Sequence, residues 1–228
     1  MSEPMVAFDD VTLYSADSRP VFEAMTWNLA RGARVRIDAE RGEGGTALLR
    51  LCAGLAHPHR GRVLLDGVAH SPDRFDHPTL RRGAVGWIPQ NGGLVANLTL
   101  LENVMLPLRF ISGWTRAEAE VKALSLLGAL GVGDRASQRP HAMPRRERHL
   151  AALARAAAMR VELWLWDRPL NDLETVDLSR VLDVLGDLFE LPDTTILVVG
   201  NEPLCASFTS TVVVLESGRL FEEGATIS

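Results

Sequence analysis

Lysine is almost missing from this sequence: of 24 basic side chains, 23 are arginine and one, Lys122, is lysine. Any chemistry that requires an amine has a single candidate. Tyrosine is equally scarce, with Tyr14 alone, and the two cysteines, Cys52 and Cys205, lie far apart in apolar segments without metal-ligand spacing. A disulfide framework or a zinc site is therefore not supported, and a reducing cytosol fits best. No apolar run approaches the ~18–20 residues of a membrane span, and the opening MSEPMVAFDD lacks a basic stretch followed by an apolar one. Membrane contact, if the chain makes any, comes through a partner. With 29 acidic residues against 24 basic ones and a net charge of −5, binding of nucleic acid or anionic lipid by bulk charge is disfavoured.

What is present is a chain of 228 residues with 46% apolar content, enough for one large α/β domain with an insertion. Strand signals open it at 5–8, 26–29 and 33–38, where Val35 and Ile37 alternate with polar residues. The third strand runs into Ala39-Glu40-Arg41-Gly42-Glu43-Gly44-Gly45 and then into Thr46-Ala47-Leu48-Leu49, a strand, loop and helix. The segment 61–67 reads as a strand closed by Asp66-Gly67, and 84–88 as a buried strand stopped by Pro89. From about Leu98 to Met159 helical signals replace strands. Thr115 and Glu118 form a capping box, with Val121, Leu124, Leu127 and Leu130 at helical spacing behind it, and Pro144 suits a first helical position. Strands resume at 161–166, 194–199 and 211–215, with an amphipathic helix carrying Leu178, Val181, Leu182, Leu185 and Leu188 between the first two. Buried runs alternating with helices predict a largely parallel sheet covered on both faces.

The glycine loop alone is a weak signal. Its company is specific: Tyr14 upstream, Gln90 after the 85–88 strand, Asp167-Arg168-Pro169 after Leu163-Trp164-Leu165-Trp166, and Glu216-Ser217-Gly218-Arg219-Leu220 near the end. In this order the whole chain, 1–228, resembles the nucleotide-binding subunit of an ABC transporter. The segments LLRLCAGL, LENV, ALARA and ESGRLFEEG carry the likeness. The resemblance implies a P-loop NTPase (RecA-like) α/β core with antiparallel N-terminal β strands and a helical subdomain inserted at about 95–159. The stretch from Gln90 through Pro107 is most similar to the lipid-trafficking members of the Mla/Mce kind.

The resemblance also assigns roles, and several residues do not suit them. A phosphate loop uses inward N–H groups, a lysine for the phosphates and a Ser/Thr for Mg²⁺. Gly42, Gly44, Thr46 and Ala47 keep the pattern, but Gly45 stands at the lysine position, Ala39 replaces a glycine, and Glu40 and Glu43 add negative charge. Arg41 compensates only by curling inward. Asp167 keeps the metal-orienting carboxylate, with Thr46 and Gln90 as further Mg²⁺ ligands, whereas the catalytic glutamate position is Arg168, which stays protonated and cannot act as a base. The switch histidine position is Asn201. The signature that reaches a partner's nucleotide is replaced by Met143-Pro144-Arg145-Arg146-Glu147, in which Pro144 has no N–H and two large side chains stand where backbone must approach.

The expectation is thus a degenerate cassette with ATP hydrolysis absent or very weak, and with ATP and Mg²⁺ bound weakly or not needed. Tyr14 stands where the family stacks a ring on adenine; the bland alternative is a half-buried strand residue. Arg145 and Arg146 are surface charges or phosphate contacts in trans. The expected partners are a membrane permease and a second nucleotide-binding subunit, identical or different, at the cytoplasmic face of the inner membrane. The apolar stretch after Gln90 either receives a short permease helix or belongs to the subdomain core. The competing readings are an active ATPase with unusual residues, energising transport of lipids or another cargo, and a soluble regulatory module without a permease.

Overall fold

The structure is a computed structural model that describes residues 3–70, 77–81, 83–159, 161–168, 175–189, 194–200 and 209–222. Strands β1 (Val6–Tyr14), β2 (Pro20–Leu29), β4 (Arg60–Leu65) and β5 (Val68–Ala69) form an antiparallel sheet in the order β2-β1-β4-β5. Both β1 and β2 are longer than the sequence signals because tertiary pairing extends them: Asp9 pairs with Arg62, and Leu13 with Phe22. The β4–β5 turn is Asp66-Gly67 as expected, both residues at positive φ (55° and 73°), the conformation that asparagine, aspartate and glycine best tolerate.

A second sheet has six strands in the order β10-β9-β3-β8-β7-β6, from β3 (Arg34–Ala39), β6 (Val85–Ile88), β7 (Leu163–Asp167), β8 (Thr195–Val199), β9 (Thr211–Glu216) and β10 (Arg219–Glu222). Five run parallel and only β10 is antiparallel, paired to β9 through a hairpin. Strands β7 and β8 are buried at every position, which is why they read as unbroken apolar runs. One core lies between the two sheets around α1 (Gly45–Cys52) and contains Phe8, Phe22, Ile37, Leu48 and Leu165. The other lies on the opposite face of the six-stranded sheet, around Trp164, Trp166 and the helices.

Between β6 and β7 the chain is helical: α3 (Leu100–Phe110), α4 (Arg116–Ala129) and α5 (Arg145–Ala157), preceded nearer the start by the short α2 (Pro78–Arg81) and followed after β7 by α6 (Thr175–Phe189). Both α3 and α4 begin with a complete capping box, Thr99 with Glu102 and Thr115 with Glu118. Each hydroxyl and glutamate satisfies an N–H that the first turn would leave open. The inward face of α4 is Ala119, Ala123, Leu126 and Leu127; Val121 and Leu124, read at helical spacing, are exposed. Spacing identified the helix, but small alanines rather than Val121 allow its close approach to α3. Pro144 is the residue before α5 rather than its first.

Candidate functional site

The loop between β3 and α1 is shaped by two glycines. Gly42 and Gly44 hold φ of 98° and 100°, a region that side chains disfavour. At Gly44 a Cβ would also stand 2.8 Å from Val21 Cγ1, so β2 presses on the loop. Gly44 caps α1 without a side-chain hydrogen bond, and the first turn has no acidic residue. Its N–H groups are those an anion would use. Glu43 folds back within the loop, its carboxylate accepting the Glu40 N–H at 3.2 Å.

Gly45 is buried, and a Cβ there would lie 2.6 Å from Val199 Cγ1 on β8. The space from which a lysine stem would grow is filled by valine. Arg41 is exposed. The guanidinium that reaches the loop belongs to Arg168 instead, from the end of β7: Nη2 donates to the carbonyls of Ala39 (2.7 Å) and Glu40 (3.3 Å). Its Nη1 lies 3.4 Å from Asp167 Oδ1, while Asp167 Oδ2 accepts the Thr46 hydroxyl at 2.8 Å. Arg168 takes a positive φ of 46°, unusual outside glycine, and its N–H donates to Val199 O. No sequence signal announced this contact, because residues 39 and 168 meet only when β3, β8 and β7 line up.

Thr46, Gln90, Arg145 and Asp167 come together around one cavity of about 670 Å³, which Arg50 and Arg148 also line. Gln90 is held through its main chain: its carbonyl lies 2.7 Å from His149 Nε2 and accepts Arg145 Nη2 at 3.2 Å, while Arg155 Nη1 donates to Gly93 O at 2.8 Å. Three side chains of α5 thus strap the segment after β6. The sequence reading missed His149 and Arg155; the spacing of 145 and 149 on one helix face was the available signal. Arg146 is not a free surface charge: it grips the fully buried Asp177 of α6 with two hydrogen bonds of 2.5 Å. Met143 is buried, Glu147 half-buried and Pro144 exposed.

Tyr14 ends β1, where it pairs with Pro20; the residue is 40% exposed, and its ring packs edge-to-face with that of His59. Two residues further on, Phe22 borders Gly44, so the ring stands on the strand pair that backs the loop. Asn201 lies outside the described residues.

The family model described as ABC transporter matches residues 22–171, which include the loop, Gln90, α5 and Asp167. The chain belongs to the ABC transporter family, as its ATP-binding domain. It is 35% identical to the lipoprotein-releasing system ATP-binding protein LolD of Cereibacter sphaeroides, over 96% of this chain and all of that one. It is 30% identical to the methionine import ATP-binding protein MetN of Rhodopseudomonas palustris over 99% of its own length but 57% of MetN. Among solved structures, a dimeric ATP-binding cassette in a post-hydrolysis state with ADP and Pi superposes with a TM-score of 0.86, at 26% identity, covering 96% of this chain and 98% of that one. The ABC cassette fold read from the motifs is the fold observed.

Against the ATP and Mg²⁺ of such cassettes, the residues here divide. The glycine-shaped backbone of 42–46 retains the form of a phosphate loop. The metal position does not fit in charge: a fixed cation, the Arg168 guanidinium, already lies 3.4 Å from Asp167 Oδ1. The segment after Gln90 also divides. Leu100, Val104, Met105 and Leu108 are core, whereas Leu106, Pro107, Phe110 and Ile111 line a separate cavity of about 320 Å³ with Trp87 and Met159. Phe110 is 80% exposed. No described helix is long and apolar enough to cross a membrane.

Proposed function

We propose that this chain is a degenerate ATP-binding subunit that does not hydrolyse ATP and acts by docking on a membrane permease, in a structural or regulatory role, at the cytoplasmic face of the inner membrane. The observation that carries this reading is Arg168: the residue in the position of the catalytic base is a permanent cation, 7% exposed and bonded to the loop it faces. It cannot take a proton from water. The closed space at Gly45 and the capture of Arg146 by Asp177 act in the same direction, one on the site's own phosphate contacts and the other on those offered to a partner.

The docking element in this reading is the apolar cavity around Phe110, Ile111 and Trp87, which suits an amphipathic permease segment. A second cassette, identical or different, completes the assembly, as the dimeric related structure supports. The likeness to LolD favours a lipid-linked cargo of the kind also suggested by the Mla/Mce resemblance. The test is twofold. Purified protein is expected to release phosphate from Mg-ATP no faster than its Asp167→Asn variant, and pull-down from membranes is expected to recover a polytopic protein. Turnover that Asp167→Asn abolishes would establish an active ATPase instead, and recovery without a membrane protein a soluble regulatory module.

A further inference from the structure

We propose that the Arg168 guanidinium is a resident counter-ion for Asp167 that closes this cassette to divalent metal, so that any anion entering the loop does so metal-free. Asp167 is 1% exposed, and a carboxylate so buried needs compensating charge and hydrogen bonds. In a metal-dependent site a divalent ion supplies the charge. Here the compensation is already built in, with the Thr46 hydroxyl on Oδ2 and the Arg168 guanidinium beside Oδ1.

The guanidinium is fixed rather than resting there. Its Nη2 bonds two loop carbonyls, its side chain is 9% exposed, and its backbone is held by Val199 O. It therefore sits among three oxygen acceptors, those of Asp167, Ala39 and Glu40. An all-oxygen environment is what a hard cation such as Mg²⁺ seeks. A tethered cation occupies it, and a divalent ion approaching Asp167 meets a like charge a few ångströms away in a poorly screened setting. The cation beside the loop thus comes from the end of β7 and not from position 45.

This rests on the loop being the family's nucleotide loop, but it concerns metal binding and not turnover. The experiment is titration of the full chain with Mn²⁺ alone, followed by water-proton relaxation and electron paramagnetic resonance. The wild type is expected to bind no Mn²⁺ beyond its Asp167→Asn variant. Arg168→Glu and the neutral Arg168→Gln, each checked for folding by circular dichroism, are expected to bind it at least ~10-fold more tightly than wild type. Wild-type binding that Asp167→Asn removes would overturn the proposal. So would Arg168 variants that fold and still exclude the ion. Metal exclusion together with phosphate release in EDTA would sink the non-hydrolytic reading and leave this one standing, while Mn²⁺ binding without phosphate release would do the reverse.

Discussion

Arg146 and Asp177 form a two-pronged ion pair between the first turns of α5 and α6, both bonds 2.5 Å, with the aspartate wholly buried and the arginine side chain one-third exposed. Removing Asp177 takes both of these charge-assisted bonds from Arg146. Asp177→Ala is expected to lower the unfolding free energy by ~3 kcal/mol, with the partial exposure of Arg146 taken into account. Urea denaturation at neutral pH measures it, and a loss under ~1 kcal/mol would show that the pair is dispensable.

Gly45 and Val199 make restoration of the missing lysine a packing problem. Gly45→Lys alone is expected to cost ~1–3 kcal/mol, since a Cβ meets Val199 at 2.6 Å. Adding Val199→Ala should recover most of that loss if the contact is its cause. Thermal unfolding of the two variants decides between this and an effect of the lysine's charge beside Arg168.

His149 ties α5 to the segment after β6. The side chain is fully buried, and Nε2 meets Gln90 O at 2.7 Å. His149→Ala removes packing and a buried hydrogen bond, for an expected loss of ~2–4 kcal/mol. Faster hydrogen exchange over residues 90–93 should accompany it, because one of the three α5 side chains on that segment is then gone. Unchanged exchange there would mean the strap acts elsewhere.

His70 gives stability a pH dependence. Burial, then the neighbouring His77 and His57, lower its pKa from 6.5 to about 4. The folded chain therefore prefers the neutral ring, while the unfolded chain takes up a proton as pH falls below 6.5. Stability is lost progressively between pH 6.5 and 4, by ~2 kcal/mol after allowing for partial exposure, and is regained on return to neutral pH. His70→Gln should flatten this part of the profile in urea titrations at pH 7 and pH 5.

The motif order, the capping box at Thr115, the Asp66-Gly67 turn and the apolar runs of β6 to β9 were legible because each depends on neighbours in sequence. So was the lack of an amine at 45, of an N–H at 144 and of a base at 168, since each is a property of the residue itself. The extra length of β1 and β2 was not legible, because polar residues become strand only by pairing. Neither was the inward face of α4, where alanines win by size.

The near-absence of lysine established by itself that no amine could serve the loop, because Lys122 lies on α4, outside it. Which cation lies against the loop was decided by the tertiary structure alone. Residues 39 and 168 are 129 positions apart, and only the β3-β8-β7 register sets a guanidinium against the loop carbonyls while Val199 fills the space beside Gly45. Composition can name a missing charge. Its replacement depends on which side chains the sheet brings within hydrogen-bonding distance, and that is fixed by packing across the whole core.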